Sequence, residues 1–491
     1  MCYSEGMSLL AYAAIFLCLL VLAAYFTDPF SRFTYIRRTY RAEMNRDALE
    51  AIDDNKKLRV QQGFEWQLFA VLKNGVHILQ SRWHKSPAST GSSVDEIIED
   101  IYDLRFDPTK LLLTSGDHFS ALFVRNLGVF YYPTLDKHLP TNERRWHDRQ
   151  IVYLQTLAYA LGVFAKQETL TTTIVPTGRY QATCVNFYAY PSDTLYGIFY
   201  ALAALLDQES AQPFAYGHSQ NSSDTIAAAM LLRETYEDSL KTHYSRYLEK
   251  VYHPATGLVN KDIRMSGAKD ITKRESAFYD NVIFWKTTQL AQKLGLIDED
   301  EAFLDQLKTR IVSQFWHEEG GYFLEDLSDE AEREKYYSSD WLIVLATGFL
   351  NPEKSDEQAY FARSVSYIQA QKIDQPFAIK YQNETRAHRQ FAAVRLAVAS
   401  YGGDSIWSFW GMEYIKVLLA LHKATGKKSY LKQADYHIEK YETAMLENKG
   451  FPEVYDSSGK LLETPLYRSI RQTGWVIGFD QVRAIRASSD V

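Results

Sequence analysis

Cysteine is scarce in this sequence, and an excess of basic residues is absent. The 491 residues include 3 Cys, 54 Lys and Arg, and 61 Asp and Glu, which gives a net charge of −7. Cys2 and Cys18 lie in an apolar N-terminal region, so Cys184 stands alone in the body and a disulfide framework there is excluded. The lack of a basic field argues against nucleic acid as a partner.

The motifs of metal-dependent and nucleotide-dependent enzymes are also missing. The 12 His residues form no HExxH pair, and HEEGG at His317 has no second His. No phosphate-binding loop of the GxGxxG or GK[ST] type occurs. Cys184 has no neighbouring His and is more typical of a small buried residue than of a nucleophile. We therefore expect neither a metal ion nor a cofactor.

The N-terminal region contains a long apolar run. Leu9–Phe26, LLAYAAIFLCLLVLAAYF, has 18 uncharged residues, about enough to cross a bilayer as a helix. No Lys or Arg precedes it, so it lacks the basic start of a cleaved signal peptide. By the positive-inside rule, the arginines that follow predict a single-pass protein with its body in the cytoplasm, and an extracytoplasmic body stays open as the alternative. These residues are Arg32, Arg37, Arg38 and Arg41.

Composition divides the rest of the chain. After a polar stretch of mixed charge, EWQLFAVLKNGVHILQSRW places two apolar runs around Asn74-Gly75, the dipeptide most typical of tight β-hairpins. SPASTGSS then has the composition of a linker. The predicted division is a membrane anchor (1–30), a juxtamembrane stalk (31–62), a β-hairpin with its linker (63–92) and a helical domain (93–491).

Two kinds of helix alternate in the helical domain. Helices with one apolar stripe are predicted to begin near residues 93, 148, 225, 299, 357 and 428. Helices that are apolar nearly all round, and therefore buried on all sides, are predicted near 118, 193, 280, 340, 406 and 470. The pattern predicts six hairpins, each with one outer and one inner helix. An additional helical pattern over Glu384–Tyr401 fits no pair.

A repeated break after the outer helices supports this interpretation. Short strand-like segments follow glycines in HPATGLVNKD, HEEGGYFLED and ENKGFPEVYD, at Gly257, Gly321 and Gly450. These glycines are 64 and 129 residues apart, which indicates a repeat unit of roughly 64 residues. We therefore predict an all-α fold, an (α/α)6 toroid closed by six helical hairpins.

Acidic and aromatic residues precede each inner helix. In a ring of parallel inner helices these starts meet at one mouth, where carboxylates accept hydrogen bonds from sugar hydroxyls and aromatic rings stack on sugar faces. Each acid taken singly also fits a helix cap. The predicted carbohydrate-contacting residues are Asp117, Asp193, Arg274, Glu275, Tyr279, Asp340, Trp341, Trp407, Trp410, Tyr455 and Trp475.

The layout resembles the six-hairpin toroid glycosidases, which include trehalases, processing glucosidases, alkaline invertases, glucoamylases and the glucosidase part of glycogen debranching enzymes. RESAFYDN resembles the family's Glu-Ser-Gly-x-Asp segment and implies Asp280 as general acid, displaced by one residue, with Ala277 in place of Gly. FPEVYDSSGK resembles the Glu-x-Tyr-Asp/Asn segment and implies Glu453 as catalytic base. TSGDHFSALFVRNLG resembles the Arg-Asp-x-Phe segment around Asp117, without its Arg.

The resemblance implies a glycoside hydrolase that acts by inversion on an α-glucoside or a related small saccharide. Asp280 opens the third inner helix and Glu453 precedes the sixth, so on a sixfold ring they stand opposite each other. Inverting enzymes hold such carboxyl groups roughly 6.5–9.5 Å apart to admit water. Asp193 is the rival general acid.

Two other functions stay open at this point. Because two of the three motifs deviate, the toroid could bind glycans or act as a scaffold without catalysis. An epimerase or a lyase on the same architecture would use His or Tyr instead of the carboxylate pair.

Overall fold

The computed structural model describes residues 55–61, 63–83, 88–109, 121–128, 143–178, 180–186, 190–206 and 223–489, with single positions at 52, 111, 130, 131, 133 and 139. The predicted anchor Leu9–Phe26, most of the stalk, and Asp117 lie outside these residues. Across the described ranges, every helix is too short or too polar to span a membrane. The anchor and the side of the membrane on which the body lies therefore stay predictions.

Helices dominate the described chain. In chain order they are α1 (Phe64–Trp83), α2 (Val94–Arg105), α3 (Glu143–Phe164), α4 (Thr194–Leu205), α5 (Ser223–Val251), α6 (Phe278–Lys293), α7 (Glu301–Phe315), α8 (Asp329–Glu334), α9 (Ile343–Thr347), α10 (Ser355–Ala370), α11 (Ala392–Val398), α12 (Ser408–Thr425), α13 (Lys428–Asn448) and α14 (Val476–Ser488).

The outer layer consists of α2, α3, α5, α7, α10 and α13. Each begins within about five residues of a predicted amphipathic start, and each except α3 buries one stripe while its other face is exposed; α3 is buried or half-buried over nearly all of residues 146–164. In α7, for example, Leu304, Leu307 and Ile311 are buried at the three- and four-residue spacing of one helix face, and the Asp300 side chain caps the helix by accepting from the Phe303 amide. The predicted alternation is confirmed for this layer.

The inner layer consists of α4, α6, α9, α12 and α14. Every residue of α4 and α9 is buried, as are nearly all those of α6 and α12. A 3₁₀ turn, Val124–Leu127, occupies the position of the first inner helix within the described residues, and a second, Ser339–Leu342, leads into α9. Helices that are apolar on all sides can be stable only when other elements surround them.

Contacts around the inner layer form a closed ring. The 3₁₀ turn Val124–Leu127 contacts α4, and the contacts continue from α4 to α6, α9, α12 and α14 in turn. Phe130 completes the circle, because its ring stacks on Trp475 at the start of α14, with 4.9 Å between centroids. Outside this ring, α2 packs against both α13 and α14. The described part of the chain thus has the mostly helical, toroidal architecture that the sequence predicts.

Gly197 allows the first two inner elements to approach closely. A Cβ atom at this position in α4 would lie 2.3 Å from the Val124 carbonyl oxygen and 3.0 Å from the Arg125 Cα. Any larger residue would force the 3₁₀ turn away from α4. The glycine therefore fixes the position of Arg125 relative to the ring.

The short strands are β1 (Arg59–Gln61), β2 (Leu122–Phe123), β3 (Thr173–Gly178), β4 (Gln181–Val185), β5 (Tyr190–Pro191), β6 (Tyr252–His253), β7 (Leu258–Val259), β8 (Met265–Ser266), β9 (Trp316–His317), β10 (Tyr322–Phe323), β11 (Ile406–Trp407) and β12 (Val454–Tyr455). The predicted breaks at Gly257 and Gly321 are the turns of the antiparallel pairs β6–β7 and β9–β10, and both glycines have a positive φ. β12 follows Gly450 and pairs with β11.

The predicted β-hairpin around Asn74-Gly75 is wrong. The stretch forms α1, a helix of 20 residues that packs against β4. Gly75 does not adopt the positive φ that a type I′ turn requires of both central residues. Trp66, Ala70 and Ile78 are buried or half-buried at helical spacing, so the 3.6-residue period outweighs the local turn signal.

Two features of the structure have no counterpart in the arrangement predicted from the sequence. TTTIVPTG and QATCV form the centre of a four-stranded sheet with the order β1-β4-β3-β2. The additional pattern over Glu384–Tyr401 is a 3₁₀ turn, Ala387–Arg389, followed by α11. It belongs to no hairpin and lies beside the cavity described below.

Candidate active-site cavity

A cavity of about 450 Å³ opens where the inner helices begin. Its polar wall comes from segments that precede them: the 3₁₀ turn at Arg125, the loop before α6 at Asp270, Trp407 before α12, and Glu453 and Trp475 before α14. The ring therefore brings together residues that are up to 350 positions apart in the chain. A concave site with a few converging polar groups is the usual form of a ligand site.

Glu453 is fixed in the cavity wall by its backbone. Its amide donates to the Ile470 carbonyl at 2.9 Å, and its own carbonyl accepts from the amide and hydroxyl of Ser408 at 3.1 and 2.9 Å. The carboxylate accepts from the Tyr467 hydroxyl at 3.5 Å, and the residue is 3% exposed. Burial raises the pKa of Tyr467, and the negative charge of Glu453 adds to that rise, so Tyr467 stays a hydrogen-bond donor.

A second carboxyl group of the cavity belongs to Asp270. Its Oδ2 atom pairs with Nη2 of Arg125 at 2.9 Å, and Nη1 of the same arginine donates to the Gly267 carbonyl at 3.0 Å. The Asp270 side chain is 13% exposed. Burial raises the pKa of Tyr401, which also lines the cavity, and the charges of Glu453 and Asp270 both add to the rise. The two carboxyl groups therefore act on the same tyrosine.

Lys269 connects the cavity to a buried ionic network. Its ammonium group contacts Glu325 Oε1 at 2.6 Å, while Glu325 Oε2 accepts from Gln382 at 2.8 Å and pairs with Arg389 at 2.9 Å. Arg389 also pairs with Asp326. Burial lowers the pKa of Lys269 to about 8 although Glu325 opposes the change. Burial acts to raise the pKa of Glu325, but its cationic partners outweigh it and keep the carboxylate ionised.

Several buried donors have no partner among the described residues. They include the side-chain amide of Asn126, Nε of Arg125 and the indole nitrogen of Trp475, all on residues that line the cavity. Buried donors in folded proteins are nearly always satisfied, by protein, water or ligand. Together with two carboxylates, these donors match the acceptors and donors of sugar hydroxyl groups.

Aromatic rings form the remaining wall. Trp407 stacks on Trp475 with 5.9 Å between centroids and 28° between planes, and its indole nitrogen donates to the Tyr401 carbonyl at 2.7 Å. Tyr381 meets Trp407 edge to face at 5.3 Å. Flat apolar faces beside polar groups suit a ligand that has both CH faces and hydroxyls.

Asp280, the predicted general acid, is buried and does not line the cavity. Its Oδ1 atom accepts from the Ser192 hydroxyl at 2.5 Å, and a Cβ at Gly267 would lie 2.4 Å from that atom. The segment that begins at Gly267 continues as Ala268–Ile271, which lines the cavity. Burial raises the pKa of Asp280, and Arg274 and Ser192 oppose the rise. Burial is thus the leading cause of the raised pKa.

Other predicted residues form a buried cluster beside Asp280. The Asp193 carboxylate accepts from the Tyr279 hydroxyl at 3.1 Å, and burial raises the pKa of Asp193 to about 7 although Arg125 opposes it. Arg274 pairs with Asp340 at 2.5 Å, and Asp340 accepts from the Tyr381 hydroxyl at 3.5 Å. Arg125 and Tyr381 join this cluster to the cavity.

The structure separates the predicted aromatic residues into two groups. Trp407 and Trp475 line the cavity, whereas Trp341, Trp410 and Tyr455 are almost fully buried elsewhere in the core. Trp341 donates to the Tyr337 hydroxyl and packs on Phe323 and Phe361. Tyr455 packs on Phe377 and Tyr441. The Glu275 side chain is exposed and does not line the cavity.

Sequence reasoning missed Arg125, Asn126, Lys269, Asp270 and Tyr467. The first four precede or interrupt apolar segments, where a polar residue indicates either a helix cap or a functional site. We considered mainly acidic residues directly beside the predicted helix starts. Asp270 lies eight residues before α6, in a loop. Helix periodicity therefore gives no information about its position, which depends on how the ring folds. Among the described residues, no group of His, Cys, Asp and Glu is arranged to hold a metal ion.

Comparisons with known proteins identify structures of sugar-active proteins. A rhamnosidase from Klebsiella oxytoca with rhamnose bound matches with a TM-score of 0.48 and 13% identity, over 81% of this chain and 64% of its own. The GH63 mannosylglycerate hydrolase from Thermus thermophilus in complex with glucose matches with a TM-score of 0.46 and 11% identity, over 80% and 98%. A D-mannose isomerase matches with a TM-score of 0.43 and 11% identity, over 83% and 99%.

The sequence matches no protein-family profile and no curated protein. The chain spans less than two thirds of the rhamnosidase's length. The matched structures include glycoside hydrolases, the class that the motifs resemble. Because these TM-scores lie below 0.5, the function proposed below rests on the residues of the cavity.

Proposed function

We propose that this chain is a glycoside hydrolase in which Glu453 is the general base. The observation that carries the proposal is that a cavity at the mouth of the ring contains Glu453 and Asp270 together with the stacked Trp407 and Trp475. Hydrolysis of a glycosidic bond needs one carboxyl group to protonate the leaving oxygen and another to activate water. The proposed reaction inverts the anomeric centre, and the proposed substrate is an α-glucoside or a related small saccharide.

The identity of the general acid is a separate part of the proposal. A general acid must first reach the atom that it protonates, and its pKa is considered afterwards. Asp270 lines the same cavity as Glu453, whereas Gly267 packs over the carboxylate of Asp280. On these grounds we assign the acid to Asp270. Because Arg125 holds Asp270 in an ion pair, the assignment requires the bound sugar to separate the two groups.

Asp280 is the competing candidate, and its support is different. It matches the motif of the resembling family with a displacement of one residue, and burial raises its pKa, which favours the protonated form that an acid needs. If Asp280 is the acid, the segment at Gly267 must move to expose it. The negative charges of Asp340 and Asp326 add to the rise in the pKa of Asp280 and would then help to keep the proton there.

The remaining wall groups are proposed to bind the sugar. Asn126, Arg125 and the Trp475 indole supply donors for hydroxyl groups, and Trp407 supplies a flat face. Lys269 pairs with Glu325, and Glu325 also pairs with Arg389. We propose that this network fixes the loop that contains Asp270. No metal or cofactor has a part in the proposed reaction.

A leaving-group series distinguishes the two acids. An aryl glycoside with an acidic phenol needs little protonation, whereas an alkyl glycoside needs a general acid. Asp270→Asn should lower kcat on the alkyl substrate about a hundredfold or more and spare the aryl substrate. Asp280→Asn should show no such split. If Asp280→Asn lost activity on the alkyl glycoside only and Asp270→Asn did not, the acid would be Asp280. If neither variant lost activity on the alkyl glycoside, both assignments would be rejected.

The alternative of a glycan-binding toroid without catalysis gives a different result. It predicts saturable binding of a saccharide that weakens when Trp407 is replaced by Ala, with no turnover of any glycoside in a broad panel. Detectable turnover that Glu453→Gln abolishes would exclude this alternative.

A further inference from the structure

The lining of the cavity has two chemically different parts. The polar residues come from segments at the starts of the inner helices, whereas two other helices contribute only apolar side chains and a glycine. Helix α1 contributes Val71, Gly75 and Ile78, and α11 contributes Ala393, Val394, Ala397 and Val398. A saccharide presents hydroxyl groups in most directions, so it satisfies the polar wall and leaves the apolar lining without a matching surface.

The apolar lining of α1 continues beyond the cavity. Phe64, Val71, Gly75 and Ile78 are separated by seven, four and three residues, which places them along one face of the helix. Phe64 is 76% exposed and Val71 is 40% exposed. With a rise of about 1.5 Å per residue, this stripe extends roughly 21 Å from Ile78 to Phe64. An apolar path therefore leads from the cavity to the surface.

The cavity has a further exposed apolar side chain. Leu466 lines the cavity and is also 40% exposed. Exposed apolar groups that cluster around a cavity indicate an interaction site, whereas the same groups scattered singly need no explanation. The apolar residues of α1 lie in a line along one helix face, which suits a chain better than a flat ring system.

We propose that the site takes a glycoside whose aglycone is an extended alkyl chain. The inference rests on the proposed function for the sugar end, which lies beside Glu453 and Asp270. The chain lies against Ile78, Val71 and Val394 and contacts Leu466, all of which line the cavity. Burial of each methylene against this lining strengthens binding by up to about fourfold, from the transfer free energy of a CH₂ group.

A series of non-hydrolysable ligands tests the inference with the full-length protein. Methyl, butyl, hexyl and octyl 1-thio-α-D-glucopyranosides share one sugar and differ only in the chain, and binding is measured by calorimetry below the micellar concentration. The affinity should rise with each added methylene and reach at least a tenfold gain from methyl to octyl. An affinity that is independent of chain length, or no binding of the octyl compound, would overturn the inference.

Two leucines of equal exposure provide a matched pair of variants. Leu466 at the cavity mouth is 40% exposed, and Leu446 on the outer helix α13 is 39% exposed. Leu466→Ser should reduce the gain from methyl to octyl severalfold, while Leu446→Ser should leave it unchanged. Equal effects of the two substitutions would contradict the proposed path of the chain.

The failure of this inference can be distinguished from that of the proposed function. Chain-length-dependent binding without hydrolysis of the corresponding oxygen glycosides would support the alkyl path and reject the hydrolase. Hydrolysis of those glycosides with no dependence of affinity on chain length would support the hydrolase and reject the alkyl path.

Discussion

Trp407 and Trp475 stack on each other with their centroids 5.9 Å apart, and both line the cavity that contains Glu453. Phe130 extends the stack, with 4.9 Å between its centroid and that of Trp475. Trp407 and Trp475 precede the inner helices α12 and α14, and Phe130 follows the 3₁₀ turn Val124–Leu127. The closure of the ring therefore builds the aromatic wall, and the same closure brings Glu453 to it.

Replacement of Trp407 by Ala should weaken substrate binding as well as the fold, because Trp407 lines the cavity and is 5% exposed. We expect KM to rise about two- to tenfold, on the scale of about 0.5–1.5 kcal/mol for an aromatic contact. Trp341→Ala is the matched control, because Trp341 packs in the core and does not line the cavity. It should lower the free energy of unfolding by about 3–5 kcal/mol with KM unchanged. Steady-state kinetics and denaturant unfolding check both; an unchanged KM in Trp407→Ala would remove Trp407 from the binding site.

Asp193→Asn should raise the free energy of unfolding above that of the native protein, and the gain should be larger at neutral pH than at acid pH. Burial raises the pKa of Asp193 from 3.8 to about 7, so the folded state favours the protonated form. Its contribution to stability is fully present below the unfolded pKa and is lost as pH rises towards about 7. Asn mimics the neutral acid, so the difference in unfolding free energy should grow by about 2–4 kcal/mol between pH 4 and pH 7. Urea unfolding at both pH values measures it, and a difference independent of pH would contradict the raised pKa.

Glu325→Gln should destabilise the fold strongly. Lys269 and Arg389 would then remain buried beside a neutral amide, and breaking a buried ion pair from one side costs about 3–5 kcal/mol. Glu237→Gln is the control, since Glu237 pairs with Lys241 on an exposed helix surface, where such pairs contribute less than about 1 kcal/mol. The denaturant midpoints of both variants measure these effects. If the two midpoints shifted by the same amount, a structural role for the network would be contradicted.

Much of the fold follows from periodicity. The stripe on α7 and the apolar runs of α4 and α12 specify their layers because each pattern covers three or more turns. The hairpin error in α1 has a simple cause: Asn-Gly is a two-residue signal, and a helix of 20 residues can outweigh it through tertiary packing. The four-stranded sheet was missed because β3 and β4 have only six and five residues and β3 contains a proline, which weakens the strand signal.

The site could be predicted only in part. Trp407 was found because it stands directly before the inner helix α12, and Glu453 was found because FPEVYDSSGK resembles the Glu-x-Tyr-Asp/Asn segment. Arg125 was missed because its partner Asp270 is 145 residues away, and no local pattern records that contact. The sequence also could not separate Trp341 from Trp407, because both are aromatic residues at a helix start, and only the packed structure distinguishes a core position from a cavity wall.

The central claim is that Glu453 activates water in a glycoside hydrolase, and proton NMR of the first product anomer tests it most directly. The native protein and Glu453→Gln are compared on an activated α-glucoside, with circular dichroism to establish that both are folded. We predict the β anomer as first product and a loss of turnover of about a hundredfold to ten thousandfold in the variant. An α anomer from the native protein, or native turnover by folded Glu453→Gln, would contradict the account.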